Sequence, residues 1–116
     1  MKNQDQKIAI PCASFYAFIK ISDIIRCEAL QNYTRIFTLG NQEVISSHNI
    51  GKYTQLLEEF SFINCHKSHL VNKSLINRYH KEGFVEMCDN SKIPVARRKK
   101  NEFIEQVVHG LTPARG

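Results

Sequence analysis

The sequence has no apolar run of the roughly 18 residues that a membrane-spanning helix needs. Its opening residues, Met1-Lys2-Asn3-Gln4-Asp5-Gln6, are polar where the apolar stretch of a secretory signal would begin. The expected location is therefore the cytoplasm. No Cys-x-x-Cys pair is present. Cys12, Cys27, Cys65 and Cys88 are widely and irregularly spaced, and most lie in apolar or alternating segments. They read as reduced, mostly packed thiols rather than a disulfide framework. There is also no Gly-rich phosphate loop, no carboxylate pair set in a cleft pattern, and no cluster joining a nucleophile to a base and an orienting group. These absences leave an enzyme without machinery, and no cofactor is expected.

What is present fits one small globular domain. The chain has 116 residues, 42% of them hydrophobic and 23% charged. The net charge is +5, and its placement matters more than its size. Residues 1–60 hold six Lys/Arg against six Asp/Glu, whereas residues 61–116 hold ten against five. The whole surplus lies in the second half, which suits a polyanionic partner such as nucleic acid. A basic stretch serving only solubility would show the same count.

The residue pattern is largely period two. Phe18–Ile21, Ile24–Ala29, Tyr33–Leu39 and Glu43–Ser46 read as strands, with Gly40-Asn41 as the turn between the last two. Phe62 to Tyr79 reads as strands broken at Asn72-Lys73-Ser74. Phe84–Cys88 and Lys92–Val95 form a further hairpin through Asp89-Asn90. Pro94 cannot donate to a ladder, so that last strand belongs at an edge or ends in a bulge. Ile50, Tyr53, Leu56, Leu57 and Phe60 recur at helical spacing, with Ser47 or Asn49 as a cap. A second helix is expected from about Arg98 to His109, stopped by Gly110. The expected fold is mostly β, with short antiparallel sheets of about eight to ten short strands and two short helices. The domain is expected over residues 8–110, with a disordered lead-in over 1–7 and a flexible tail over 111–116. Phe15, Phe37, Phe60, Phe62 and Phe103 lie in apolar patterns and read as core.

Three polar clusters stand out. The first is Glu28-Ala29-Leu30-Gln31-Asn32-Tyr33-Thr34-Arg35, where a loop enters the strongest strand. The second is Asn64-Cys65-His66-Lys67-Ser68-His69. On one strand His66 and His69, three apart, point to opposite faces, so they would not chelate a metal together. Cys65 and His66 are likewise divided. Lys67, Ser68 and His69 instead offer donors suited to phosphates and base edges. The third is Arg97-Arg98-Lys99-Lys100, which follows Pro94-Val95-Ala96 at a helix start. The helix dipole disfavours clustered cations there, so an anionic partner such as DNA phosphate would compensate them.

Taken in order, these blocks resemble the LytTR family of bacterial DNA-binding domains. The resemblance rests on Glu28-Ala29 with Asn32-Tyr33-Thr34, then Phe62 with His66-Lys67-Ser68 and Val71-Asn72, then Ile93-Pro94-Val95 with Arg97-Arg98. It spans residues 8–108 and includes the helix from Ile50 to Phe60. It implies a mostly β domain that inserts loop side chains into successive major grooves of double-stranded DNA and bends it. Two protomers usually bind paired repeats. Such a domain is usually the output of a two-component response regulator, and the receiver domain is absent from this chain. Carried over by position, the base contacts fall at Thr34, Lys67 and Arg97. Asn32, Arg35, His66, Ser68, His69, Arg98, Lys99 and Lys100 are implied as backbone contacts or loop-shaping residues. The chain departs from the family at Asn64, where Arg is frequent, at His69, where Tyr is common, and at Ala96, where Ser is common. The resemblance thus implies a transcription regulator and not an enzyme. A basic protein-interaction module is the competing reading. Single-strand binding fits less well, because it needs exposed aromatics.

Overall fold

A computed structural model of the chain describes residues 4–110. Ten strands form three antiparallel sheets. β1 (Lys7–Pro11) pairs with β2 (Tyr16–Lys20) as a separate ribbon. β3 (Ile24–Leu30), β4 (Tyr33–Thr38), β5 (Gln42–Ser46), β6 (Phe62–His66) and β7 (His69–Asn72) make a five-stranded sheet in the order β5-β4-β3-β7-β6. β8 (Ile76–His80), β9 (Phe84–Met87) and β10 (Lys92–Pro94) make the third sheet, with β10 at its edge as Pro94 requires.

Both expected helices form. α1 (Ile50–Leu57) is capped by the Asn49 side chain, which accepts from the Lys52 amide, and continues as a 3-10 turn to Phe60. α2 (Lys100–Phe103) is preceded by a 3-10 turn, Arg97–Lys99, and followed by a π-helical turn, Ile104–Val108. At the β4–β5 turn Gly40 and Asn41 both take positive φ, of 84° and 58°, the geometry that favours Gly and Asn in tight hairpins.

The five-stranded sheet divides two cores. On one side Ile10, Ile24, Cys27, Ile36 and Leu70 pack with Tyr53, Leu57 and Phe60. On the other, Ile25, Ile63, Cys65 and Val71 pack with Val85, Met87, Ile93, Phe103 and Val107. A bulge between Ile24 and Arg26 lets β3 contribute Ile24 and Cys27 to the same side. All four cysteines are free thiols. Burial pushes the Cys27 and Cys65 thiols up to about 12, so both stay protonated and inert.

Several expectations are corrected. β1 was not anticipated: only Ile8 and Ile10 turn inward on it, too short an alternation to stand out. Residues 21–23 form a 3-10 turn instead of ending the Phe18–Ile21 strand, which runs Tyr16–Lys20. The disordered lead-in over 1–7 lies partly outside the described residues. Its described part is tied down: the Ser22 amide donates to the Gln4 carbonyl at 2.8 Å, the Ile21 amide donates to the Gln6 carbonyl at 3.0 Å, and the Gln4 side chain donates to the Phe60 carbonyl. The flexible tail over 111–116 lies outside the described residues. Phe15 is not core. It is 55% exposed, and Tyr16 and Phe18 stand out beside it on the β1–β2 ribbon. Phe37 is half-buried beneath the Arg26 guanidinium, 3.8 Å from its ring centroid.

Asn72 stabilises the bulged end of β3. Fully buried, it donates to the Ile24 carbonyl at 2.9 Å and accepts from the Ser74 amide at 3.0 Å. Asn72→Leu keeps the side-chain bulk and strands both backbone groups, each costing about 1–3 kcal/mol. The expected outcome in thermal melting is a loss of at least about 8 °C. A loss under about 2 °C would show that the bulge holds without Asn72.

Candidate nucleic-acid interface

Strand β3 pairs with β4 on one edge and β7 on the other, which brings two turns to the same end of the sheet. Leu30 faces Tyr33 across the Gln31-Asn32 turn, and Glu28 faces His69 beside the Lys67-Ser68 turn. The Ala29 amide donates to the Ser68 carbonyl at 2.9 Å, linking the two hairpins directly. The third cluster joins them from the other side, where the Ala96 amide donates to the Cys65 carbonyl at 2.8 Å. An open groove lined by Gly51, Gln55, Asn64, Lys67 and Arg98 places the start of α1 beside the same basic groups.

Asn64 organises this corner. Its side-chain amide donates to the carbonyls of His66 (3.0 Å) and His69 (3.1 Å), across the neck of the hairpin. Its own oxygens accept from Lys99 Nζ, at 3.1 Å for the backbone carbonyl and also at the side-chain carbonyl. One residue thus couples the Lys67 turn to the Arg97–Lys99 turn. The sequence marked Asn64 only as a departure from the family pattern. Asn at a hairpin neck was the available signal, since its amide can both donate and accept.

His66 also shapes the turn. Its Nδ1 accepts from the Ser68 amide at 3.1 Å. Its ring lies 5.3 Å, centroid to centroid, from that of His69. The expectation that these histidines face apart is corrected here. They sit on paired strands joined by a two-residue turn, so both project to one side. Among the described residues no group of three or more His, Cys, Asp or Glu is placed to hold a metal.

Of the eleven residues singled out, four are exposed and form no side-chain hydrogen bond or ion pair among the described residues: Asn32, Lys67, Arg97 and Arg98. Ser68 is half-buried in the hairpin turn. The others are engaged in the fold. Thr34, expected at a base, is corrected. It is fully buried, and its hydroxyl donates to the His48 carbonyl at 2.8 Å, so it cannot reach a groove. Arg35 is held by Glu43 (2.6 Å) and Glu28 (3.3 Å), because cross-strand pairing sets these charges side by side. Those carboxylates hold its guanidinium above its ordinary range, and Arg35 in turn holds Glu43 below the usual carboxylate range. Lys99 is held by Asn64, and Lys100 donates to the Lys81 carbonyl at 3.1 Å. His69 is largely buried, and its Nδ1 stands 3.9 Å from Glu28.

The profile of the LytTr DNA-binding domain matches residues 15–107. Among solved structures, the chain is similar to the LytTr DNA-binding domain of a Bacillus cereus protein described as a methyl-accepting/DNA response regulator. That match has a TM-score of 0.75 at 18% identity and covers 86% of this chain and 94% of that one. No curated protein sequence matches.

Two outcomes follow from the histidine pair. His66→Asn places a carbonyl oxygen where it can accept from the residue two ahead, as Asn does in turns, whereas His66→Ala removes the acceptor. Amide exchange should show Ser68 protected in the wild type and His66→Asn and exposed in His66→Ala. Equal protection in all three would remove His66 from the turn. Burial holds the His69 imidazole below its ordinary range, against the pull of Glu28. The unfolded chain then binds the proton more readily. Stability is therefore retained above the ordinary histidine pKa of about 6.5 and falls as pH drops through it. Between pH 7 and pH 5 the wild type should lose more thermal stability than His69→Gln, and equal losses would place the proton elsewhere.

Proposed function

The chain belongs to the LytTR family of DNA-binding domains, and from that premise we propose that it binds double-stranded DNA sequence-specifically in transcription regulation. The observation that carries this reading is the convergence of Asn32, Lys67, Arg97 and Arg98, all exposed and free of internal partners, at one end of the sheet. Lys67 stands on a turn whose backbone is fixed from within by Asn64 and His66, and the segment leading to Arg97 is tied to β6 by the bond from the Ala96 amide to the Cys65 carbonyl. Rigid presentation of unpartnered donors is what base recognition requires, because misplacement by an ångström forfeits a directed contact.

Lys67 and Arg97 are the proposed base contacts. Arg97 carries a planar fork matched to the two acceptors on guanine, and Lys67 reaches as a point charge from a separate turn. Arg98 and Asn32 are proposed backbone contacts, which hold register without reading sequence. Two protomers on a repeated site, contact through successive major grooves, and action in the cytoplasm complete the reading. A DNA-binding role leaves no task for an active site, and no enzymatic activity is proposed.

A pool of random duplexes selected against the protein should yield a preferred site containing a repeated element. Affinity for it should fall by about 0.9 log units per log unit of salt for each phosphate neutralised. In competition with single-base variants of that site, Arg97→Ala should flatten the preference at one step, worth about 1–3 kcal/mol, and Lys67→Ala at another. Arg98→Ala should weaken preferred and scrambled duplexes alike. Salt-independent binding, or none, would favour a protein-interaction module. A uniform loss in Arg97→Ala would make Arg97 a phosphate contact.

A further inference from the structure

Thr34, Ser46 and Tyr53 form a buried polar network, and two of them, Thr34 and Ser46, hold the backbone of one exposed residue. Thr34 and Ser46 are fully buried, and Tyr53 is nearly so. The Thr34 hydroxyl donates to the His48 carbonyl at 2.8 Å, and the His48 amide donates to Ser46 Oγ at 3.1 Å. Ser46 Oγ in turn shares a 2.5 Å hydrogen bond with the Tyr53 hydroxyl. Both backbone polar groups of His48 are thus held by buried side chains. The flanking residues are held too: Ser47 binds the Pro11 carbonyl through its amide (2.9 Å) and its hydroxyl (3.2 Å), and Asn49 caps α1. Residue 48 cannot shift without leaving buried polar groups unpaired, a costly step in an apolar interior.

The His48 side chain is nevertheless exposed. Among the described residues its imidazole forms no hydrogen bond or ion pair, and its one ring neighbour is Tyr53 at 6.3 Å. Its position follows from register. Thr34 pairs with Ser46 one step from the Gln31-Asn32 turn, so the loop after Ser46 emerges at the end of the sheet where Lys67 and Arg97 stand. The groove lined by Gly51, Lys67 and Arg98 has Ile50, two residues after His48, in its wall.

We propose that His48 is a further specificity-determining contact to DNA, that its imidazole addresses a base edge, and that Thr34 is a positioning residue acting through it. The proposal rests on the DNA-binding reading above. Imidazole offers one donor and one acceptor and can pair with a purine edge in the major groove. A phosphate contact would not need such rigid placement, since charge attraction tolerates displacement. The arrangement also gives the buried Thr34 a role at the interface that its own side chain cannot perform directly.

The test uses the whole chain and the duplex selected from the random pool. His48→Ala should weaken the preferred duplex about five- to tenfold, the worth of one directed polar contact, and flatten preference at a step distinct from those of Lys67 and Arg97. Thr34→Val, which keeps the shape and removes the hydroxyl, should reproduce that loss. In the His48→Ala background Thr34→Val should add nothing, a coupling that a merely structural role would not give. Thr34→Ser, retaining the hydroxyl, should restore binding even if Thr34→Val fails to fold. The His48 ring proton signals should also shift when the duplex is added. Uniform weakening of all duplexes by His48→Ala would overturn the base contact, and additive losses in the double variant would overturn the positioning role. If binding depends on Lys67 and Arg97 but not on His48, this proposal falls alone. If the wild type binds no duplex, the DNA reading falls with it.

Discussion

The double pairing of β3 is the constraint on which the rest of the interface depends. A strand with one partner would present one hairpin turn. With β4 and β7 both in register, two turns distant in sequence, at residues 31–32 and 67–68, sit at one end of a single sheet. Antiparallel register is set by side-chain alternation, because a slip of one residue would exchange the two faces. Cys27 fixes that alternation by pairing with Ile36 on one side and Leu70 on the other, all three fully buried. The position of Lys67 is therefore a consequence of apolar packing several residues away.

The polar groups of the corner then convert a sheet edge into a shaped surface. Asn64 joins a hairpin neck to the start of the C-terminal helical segment, and His66 closes the Lys67-Ser68 turn of that hairpin. These contacts engage one cation of the basic run, Lys99, and leave Arg97 and Arg98 outward. A run of four cations is thus not uniform. A lysine with hydrogen bonds to Asn64 is part of the scaffold, while its arginine neighbours are available to a partner. On the exposed half of the sheet the same division holds: Arg26 and Arg35 are tied into a ladder with Glu28 and Glu43 over Phe37, so their charge is balanced within the protein. Lys67, Arg97 and Arg98, by contrast, have no such counter-charge among the described residues.

Much of the fold was legible because its signals are local. Gly40-Asn41 marked a tight turn, Asn49 a cap, Pro94 an edge strand, and alternation marked most strands. The β1 strand was not legible, since its few inward residues gain meaning only from pairing with β2. The aromatics misled for a related reason. Phe15 and Phe60 look alike in an apolar pattern, yet one stands exposed at the turn of a two-stranded ribbon and the other ends the helical segment of α1, buried in the core.

By itself the sequence determined the fold class, the order of both helices and of the strands after β1, the charge imbalance and the family, all of which follow from residue type and short-range spacing. Only the tertiary structure decided which polar residues are free to act. Thr34 and Lys67 are both polar residues near hairpin turns, and nothing in their spacing separates them. Pairing of β4 with both neighbours sinks Thr34 into the core and turns its hydroxyl to His48, whereas Lys67 falls at a turn where no strand can cover it. Burial depends on what lies opposite, and the residues opposite a given position are supplied by strands far away in the chain.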